Sequence, residues 1–525
     1  MKKYLLPAAL LVGFCFDLLF WEKTPGISFF IFIVLCLVSG FFLIKADHLH
    51  PAKPSLLLII PILFLAMMSF IRKEPLTSFL NISLALLFMA VVAMTYLGGQ
   101  WLSFEIADYA ANFFHLVGGM VSLPWLIRPD ENTQKEDTGF KTWMKNAQPV
   151  IRGVLLAIPV LLIFTALFSS ADLVFAKRIT DLAANLKLEN LPEYIFRGVL
   201  MLLVGYFFSG GILYAAKRSN SLDLIGKEKS VIPQFLGFTE TSIILGGVIA
   251  LFSAFVLIQI EYFFLGQANI TLQGFTYSEY ARRGFGELVA VAVFCIALIK
   301  GLSEITKFDT TKKRKIFTGF TIGLVALVLV ILVSAFERLY LYETAYGFSR
   351  SRAYAHIFIF WLGILLVSLV IMEIVHRQRA FANVALMVAF GFAVSLNLLN
   401  VDKFIASNNI NRTVQGEQLD ISYLSTLSSD AIPTLVNLYS SDRFSPEIHE
   451  SIGTSLVCYG EITKNNTRPQ DHWQSFNLSE WFAMRDLRKI QPDLNLYRVS
   501  DSSWPINVIS PEGTEYQCQG DLILD

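Results

Sequence analysis

Long apolar runs separated by short polar breaks follow one another from about residue 4 to residue 399, and the pattern stops at Asn400. Each run holds about 20 residues, enough for a helix rising 1.5 Å per residue to cross roughly 30 Å of hydrocarbon. In lipid the backbone must satisfy its own N–H and C=O groups, and a helix does so. The runs at 4–20, 27–44, 55–71, 77–97, 149–168, 196–216, 238–260, 284–302, 317–336, 353–372 and 380–399 predict eleven spans. Two further stretches, 101–127 and 171–195, are half apolar and charged, as interfacial or re-entrant helices are; if both cross, the count is thirteen.

From residue 400 to 525 the pattern changes to that of a small water-soluble domain. Ser428-Ser429-Asp430 read as cap residues for a helix over 431–438, Ser445-Pro446-Glu447 opens a second, and Ser479 to Ile490 reads as a third. Leu494 to Val499 and Trp504 to Ile509 look extended. The expected fold is thus an α-helical polytopic membrane domain, 1–399, with a C-terminal soluble domain, 400–525, mostly α with a minor β element. Trp473, Trp481 and Trp504 are expected in the core of that tail.

Composition agrees with the pattern. Hydrophobic residues make up 54% of the 525 residues and charged ones only 16%, outside the usual range of soluble domains. The 42 basic and 42 acidic residues balance, and no basic stripe is interleaved with aromatics, which excludes nucleic acid as a partner. Met1-Lys2-Lys3 and the apolar run behind it imitate a secretory signal, but no small-x-small cleavage site precedes Trp21, so the run reads as a retained first helix. With the N-terminus in the cytoplasm, the cytoplasmic segments carry nearly twice as many Lys and Arg as the opposite ones. This places the C-terminal domain outside the cytoplasm. Cys458 and Cys518, the two cysteines of the tail, are candidates for a disulfide there, and two unrelated thiols are the alternative.

Polar chemistry gathers on that outer side. Glu279, Arg283 and Glu287 fall four apart on one helix face, with Arg282 beside them. The run over 317–336 continues into Glu337, Arg338, Tyr340, Tyr342, Glu343 and Tyr346 before a stop at Gly347, and Arg350 and Arg352 follow. One reading is a polar pocket or docking surface offering Arg282, Arg283, Arg338, Arg350 and Arg352 to a phosphate or an anionic lipid head group. The other is that these charges pair with one another and fasten the exterior domain to the bundle.

Other polar residues are more ordinary. Asp17 lies inside the first run but only a turn or so from Trp21, within reach of the interface. His48 and His50 read as a polar turn rather than metal ligands. Glycine pairs beginning at Gly98, Gly118, Gly210 and Gly246 suit close helix packing. No Gly-x-Ser-x-Gly, His-Glu-x-x-His, Walker loop or Cys-x-x-Cys occurs, and neither catalysis, a cofactor nor a metal is expected.

Three stretches carry a resemblance. They are Tyr277-Ser278-Glu279-Tyr280-Ala281-Arg282-Arg283-Gly284-Phe285-Gly286-Glu287, then Glu337-Arg338-Leu339-Tyr340-Leu341-Tyr342-Glu343-Thr344-Ala345-Tyr346-Gly347. The third is Asn397-Leu398-Leu399-Asn400-Val401-Asp402, continued by Ile405-Ala406, Asn409, Arg412, Leu419-Asp420, Tyr423-Leu424 and Leu427-Ser428-Ser429-Asp430-Ala431-Ile432-Pro433. Over roughly 150–440 the chain resembles the multi-pass bacterial membrane proteins catalogued as domain of unknown function 4173, related to 4153. The resemblance implies a bacterial cytoplasmic membrane and no particular activity. The expected role is a non-enzymatic envelope sensor, receptor or assembly scaffold, with an envelope protein or anionic lipid as partner besides the bilayer. A secondary transporter or a lipid- or anion-handling protein is the alternative, weakened because Glu240, Glu287, Lys300, Glu337 and Glu373 all fall near span ends.

Overall fold

A computed structural model describes residues 2–126, 191–220, 233–264, 285–413, 420–441, 443–466, 472–501 and 506–518, with scattered positions between 157 and 178. Among the described residues ten helices are long and apolar enough to cross a membrane. They are α1 (Lys2–Phe20), α2 (Ile27–Lys45), the pair α3 (Lys53–Leu57) and α4 (Ile59–Ile71) taken as one span, and α5 (Pro75–Thr95). After α6 (Ile106–Trp125), which is not one of the ten, come α7 (Leu191–Lys217), α8 (Phe238–Phe264), α9 (Phe285–Ile305), α10 (Thr311–Tyr346), α11 (Arg350–Val375) and α12 (Phe381–Leu399). Most of the expected span at 149–168 and most of 171–195 lie outside the described residues.

The helix ends obey local chemistry. Pro75 opens α5 while the Glu74 side chain accepts from the N–H groups of Leu76 (3.0 Å) and Thr77 (2.7 Å), capping donors the helix cannot use itself. Thr310 caps α10 through Lys313 N, and α10 stops at Gly347, whose φ of 83° is the left-handed backbone that glycine adopts without strain. His48 lies in the turn after α2.

By packing the chain forms two compact units, one of Met1–Trp21 and Val117–Tyr214, the other of Glu22–Leu116 and Ala215–Asp525. In the first, glycines let backbones meet. A Cβ added to Gly13 of α1 would stand 2.1 Å from the Met201 carbonyl oxygen of α7, and one added to Gly205 would stand 2.5 Å from Ala9 O. Asp17, 3% exposed, receives Arg197 of α7 in a two-point bond, Nε to Oδ1 at 3.0 Å and Nη2 to Oδ2 at 2.6 Å. Trp21 completes the corner by donating Nε1–H to Glu193 Oε1 at 3.0 Å. An acid inside a span is here neutralised by an arginine on its neighbour.

In the second unit α8, α9, α10 and α11 enclose one apolar core, with Leu245, Ala292, Phe317, Leu324, Val328 and Leu366 fully buried. Beyond α12, Asn400 turns left-handed (φ 53°) and the chain enters α13 (Val401–Thr413), α14 (Ile421–Ser425), α15 (Ile432–Tyr439), α16 (Pro446–Asn466), α17 (Leu478–Lys489) and α18 (Gln491–Leu494). A three-stranded antiparallel sheet follows, ordered β1 (Arg498–Asp501), β2 (Asn507–Ile509), β3 (Glu515–Gln517), with Val499 opposite Val508 and Val508 opposite Tyr516. The expected helical tail with a minor β element is what forms. Its core is not self-contained, because Ile405, Ile410, Leu435, Ile452 and Leu456 pack in one cluster with Ala353 of α11 and Leu396 of α12. Cys458 of α16 is joined to Cys518 after β3, the Cα atoms 5.5 Å apart.

One expectation for the tail is corrected. Trp473 is 58% exposed and Trp481 48%, so neither is a core residue; Trp504 lies outside the described residues. The core they were expected to fill is occupied by aliphatic side chains and Tyr439 and Tyr497.

Candidate functional site

Two buried carboxylates clasp the C-terminal helices to the ends of the spans. Asp402, on the first turn of α13 and fully buried, takes Arg350 of α11 in a two-point bond, Nε to Oδ1 at 2.8 Å and Nη2 to Oδ2 at 2.7 Å. Asp402 Oδ2 also accepts from Ser428 N at 2.7 Å, and Arg350 Nη2 donates on to Thr426 O at 3.0 Å. Tyr423 accepts the Arg350 backbone N–H at 2.7 Å through its hydroxyl oxygen. Thus the N-terminus of α11 is held by α13, α14 and the turn after it.

Asp430 performs the same task for the α4–α5 turn. Its Oδ2 accepts the backbone N–H groups of Lys73 (2.8 Å) and Glu74 (3.0 Å), and Arg72 Nη1 stands 3.6 Å from Oδ1. Burial pushes the Asp430 carboxyl up, against the pull of the Lys73 N–H and Arg72. Arg72 also donates from Nε to Asn397 O at 3.0 Å, while Asn397 and Asn81, both fully buried, exchange side-chain amide hydrogen bonds at 2.7 and 3.1 Å. Glu74, already a helix cap, accepts the Tyr354 hydroxyl of α11 as well. In these residues nearly every carboxylate oxygen has a donor, so the clasp is a satisfied network.

The sequence singled out nine residues of this side. Arg350 and Glu343 sit in built contacts: Glu343 Oε2 lies 2.9 Å from His356 Nε2, between α10 and α11. Arg352 donates to Gly347 O and lies over the Tyr342 ring, 4.1 Å from its centre. Glu337 and Arg338 are half-buried on α10, and Glu287 is exposed on α9. Glu279, Arg282 and Arg283 lie outside the described residues. The structure therefore joins α10 and α11 to the C-terminal helices, with Arg412 donating to Thr344 O at 2.6 Å and Asn409 clasping both backbone groups of Phe348. Asp402, Asp430, Glu74 and Asn81 were not singled out. Asp402 and Asp430 stood in the quoted stretches, Asp430 only as a cap; it caps nothing in α15 and reaches a segment 357 residues away.

A second polar belt lies at the other end of α11. Buried Glu373 meets Arg314 (3.5 Å) and Gln378, and Gln378 Nε2 also donates to Ser303 Oγ at 2.6 Å. Arg379 pairs with Glu105 at 3.1 Å, and Tyr109 donates to Asn383 Oδ1 at 2.6 Å. Arg350 and Glu373 are separated along α11 by about 34 Å of helix rise, close to the thickness of a hydrocarbon layer.

A family model described as Domain of unknown function (DUF4153) matches residues 59–438. The chain belongs to this family. The DUF4153 match covers well over half the chain and contains the whole clasp, Arg72, Glu74, Arg350, Tyr354, Asp402 and Asp430, but ends before α16. Among curated proteins and among solved structures, no match is found.

Proposed function

We propose that this DUF4153 protein, in its finer features akin to the related family 4173, is a non-enzymatic protein of a bacterial cytoplasmic membrane. Its C-terminal region stands on the extracytoplasmic face as the head of an envelope sensor, receptor or assembly scaffold. The clasp carries this reading: Asp402 and Asp430 bind backbone and arginine donors at the ends of α4, α5 and α11, and a shared apolar core lies behind them. A head held on several spans displays a surface in a fixed orientation and passes on any displacement it suffers, which suits recognition more than turnover. The excess of Lys and Arg in the opposite loops supports the side assigned, as does the cysteine pair, since disulfides persist in oxidising compartments.

The test is a fusion of alkaline phosphatase after Asp525 together with photocrosslinking from exposed positions of α16 in living cells. The expected outcome is an active fusion and a discrete crosslinked envelope protein whose yield, normalised to the amount of folded protein present, is lost in Arg350→Ala. An inactive fusion at normal abundance overturns the side, and unchanged crosslinking in Arg350→Ala overturns the part played by the clasp.

A further inference from the structure

A short segment ahead of α17 is pinned at the height where two apolar helices leave the membrane. The backbone N–H of Ile27, the first residue of α2, donates to Phe476 O at 2.9 Å. Gly26 leaves no room between them, since a Cβ there would stand 2.6 Å from both Phe476 O and Ser475 C. On the next helix, Asn477 Nδ2 donates to Arg72 O at 3.1 Å and Lys73 Nζ lies 2.8 Å from Glu480 Oε1. The start of α2 and the end of α4 are on one side of any bilayer these consecutive antiparallel spans cross, so residues 475–480 are fixed at its surface by contacts to both.

Around this fixed segment stand large aromatic side chains that the other described residues leave exposed. Trp473 is 58% exposed, Phe476 37% and Trp481 48%. Arg485 lies over Trp481 and Phe482, 5.5 and 4.8 Å from their ring centres, so one guanidinium sits against both rings. Tryptophan is enriched at the level of lipid head groups, where one edge of the indole is wet and the rest is apolar. Such rings exposed to water on a soluble head would be unfavourable, whereas at this height the bilayer itself is the nearest apolar surface.

We propose that Trp473, Phe476 and Trp481 form a lipid contact, inserting into the head-group and upper acyl region of the leaflet beside α2 and α4. The contact fastens the C-terminal region to the bilayer as well as to the spans. It holds whichever face the head occupies and does not rest on the proposed role.

The full chain is reconstituted in phosphatidylcholine vesicles with acyl chains brominated near the head group, and compared with the Trp473→Phe/Trp481→Phe double variant. The difference in emission between the two reports these two rings. It is expected to be lost in part in brominated lipid and to resist aqueous iodide, as for rings in the interfacial belt. Quenching by iodide without quenching by bromine overturns the proposal in favour of water, and protection from both overturns it in favour of a protein cover. Both tryptophans are exposed, so the variant should fold. As an independent measurement, the unaltered chain is irradiated with a phosphatidylcholine bearing a diazirine near its head group. Lipid adducts on the peptide from Trp473 to Arg485 are expected, and their absence from that peptide while α2 and α4 are labelled overturns the contact.

Discussion

Asp430 shows how much a single side chain can hold. In Asp430→Ala the part-buried N–H of Lys73 and the buried N–H of Glu74 lose their acceptor, which costs about 1–3 kcal/mol for the buried donor and less for the other. Melting of the purified protein in detergent should fall accordingly, while Asp430→Asn, which keeps one acceptor oxygen, should fall less. The charge has its own signature. Burial raises the folded-state value of the Asp430 carboxyl, so the folded protein holds this proton more tightly than the unfolded chain does. Its contribution to stability is present in acid and lost as pH rises through that raised value; melting profiles recorded from acid to neutral pH should lose this component in Asp430→Asn. Arg350→Ala is harsher, because it strands the fully buried Asp402 carboxylate, and about 3–5 kcal/mol is expected, with Arg350→Ala/Asp402→Asn recovering part of the loss in the same melting assay. The sequence offered Arg350 as one of a group of arginines, but its partner was hidden. Asp402 lies 52 residues away in a different helix, and nothing in local spacing connects them.

At the scale of elements, the apolar periodicity was the most legible signal. The start at Ile27, the extension of α10 past its apolar stretch to Gly347, and the opening of α16 at Pro446 can all be read from hydrophobic runs, a glycine stop and a proline start. These are decided by neighbouring residues. Tertiary placement overrode the same logic at Asp430, whose cap-like context is used across the fold, and at Trp473 and Trp481, which composition alone assigned to a core. The glycine contacts between α1 and α7 make a separate prediction. Gly13→Val puts a branched side chain where even a Cβ meets the Met201 carbonyl at 2.1 Å, and such overpacking costs about 1–3 kcal/mol. Reduced melting temperature and yield are expected for Gly13→Val, whereas Gly198→Val, with open space around it, should behave as the parent.

For the whole molecule, the tail is held by its clasp at one end and by the Cys458–Cys518 link at the other. That link closes a loop of 60 residues, and restricting the unfolded chain to this extent contributes about 4 kcal/mol. Reduction, or the Cys458→Ser/Cys518→Ser variant, is therefore expected to make β1–β3 and the end of α16 sensitive to protease while the spans keep their helical circular dichroism. The helix α10 outreaches the layer it crosses. Its 36 residues make a rod of about 54 Å, much longer than the hydrocarbon it crosses, and its far tip is tied to α13 through Arg412 and Asn409. Such a rod is a lever: thinning of the lipid that leans it over by about ten degrees swings the tip sideways by about 9 Å and drags α13 with it.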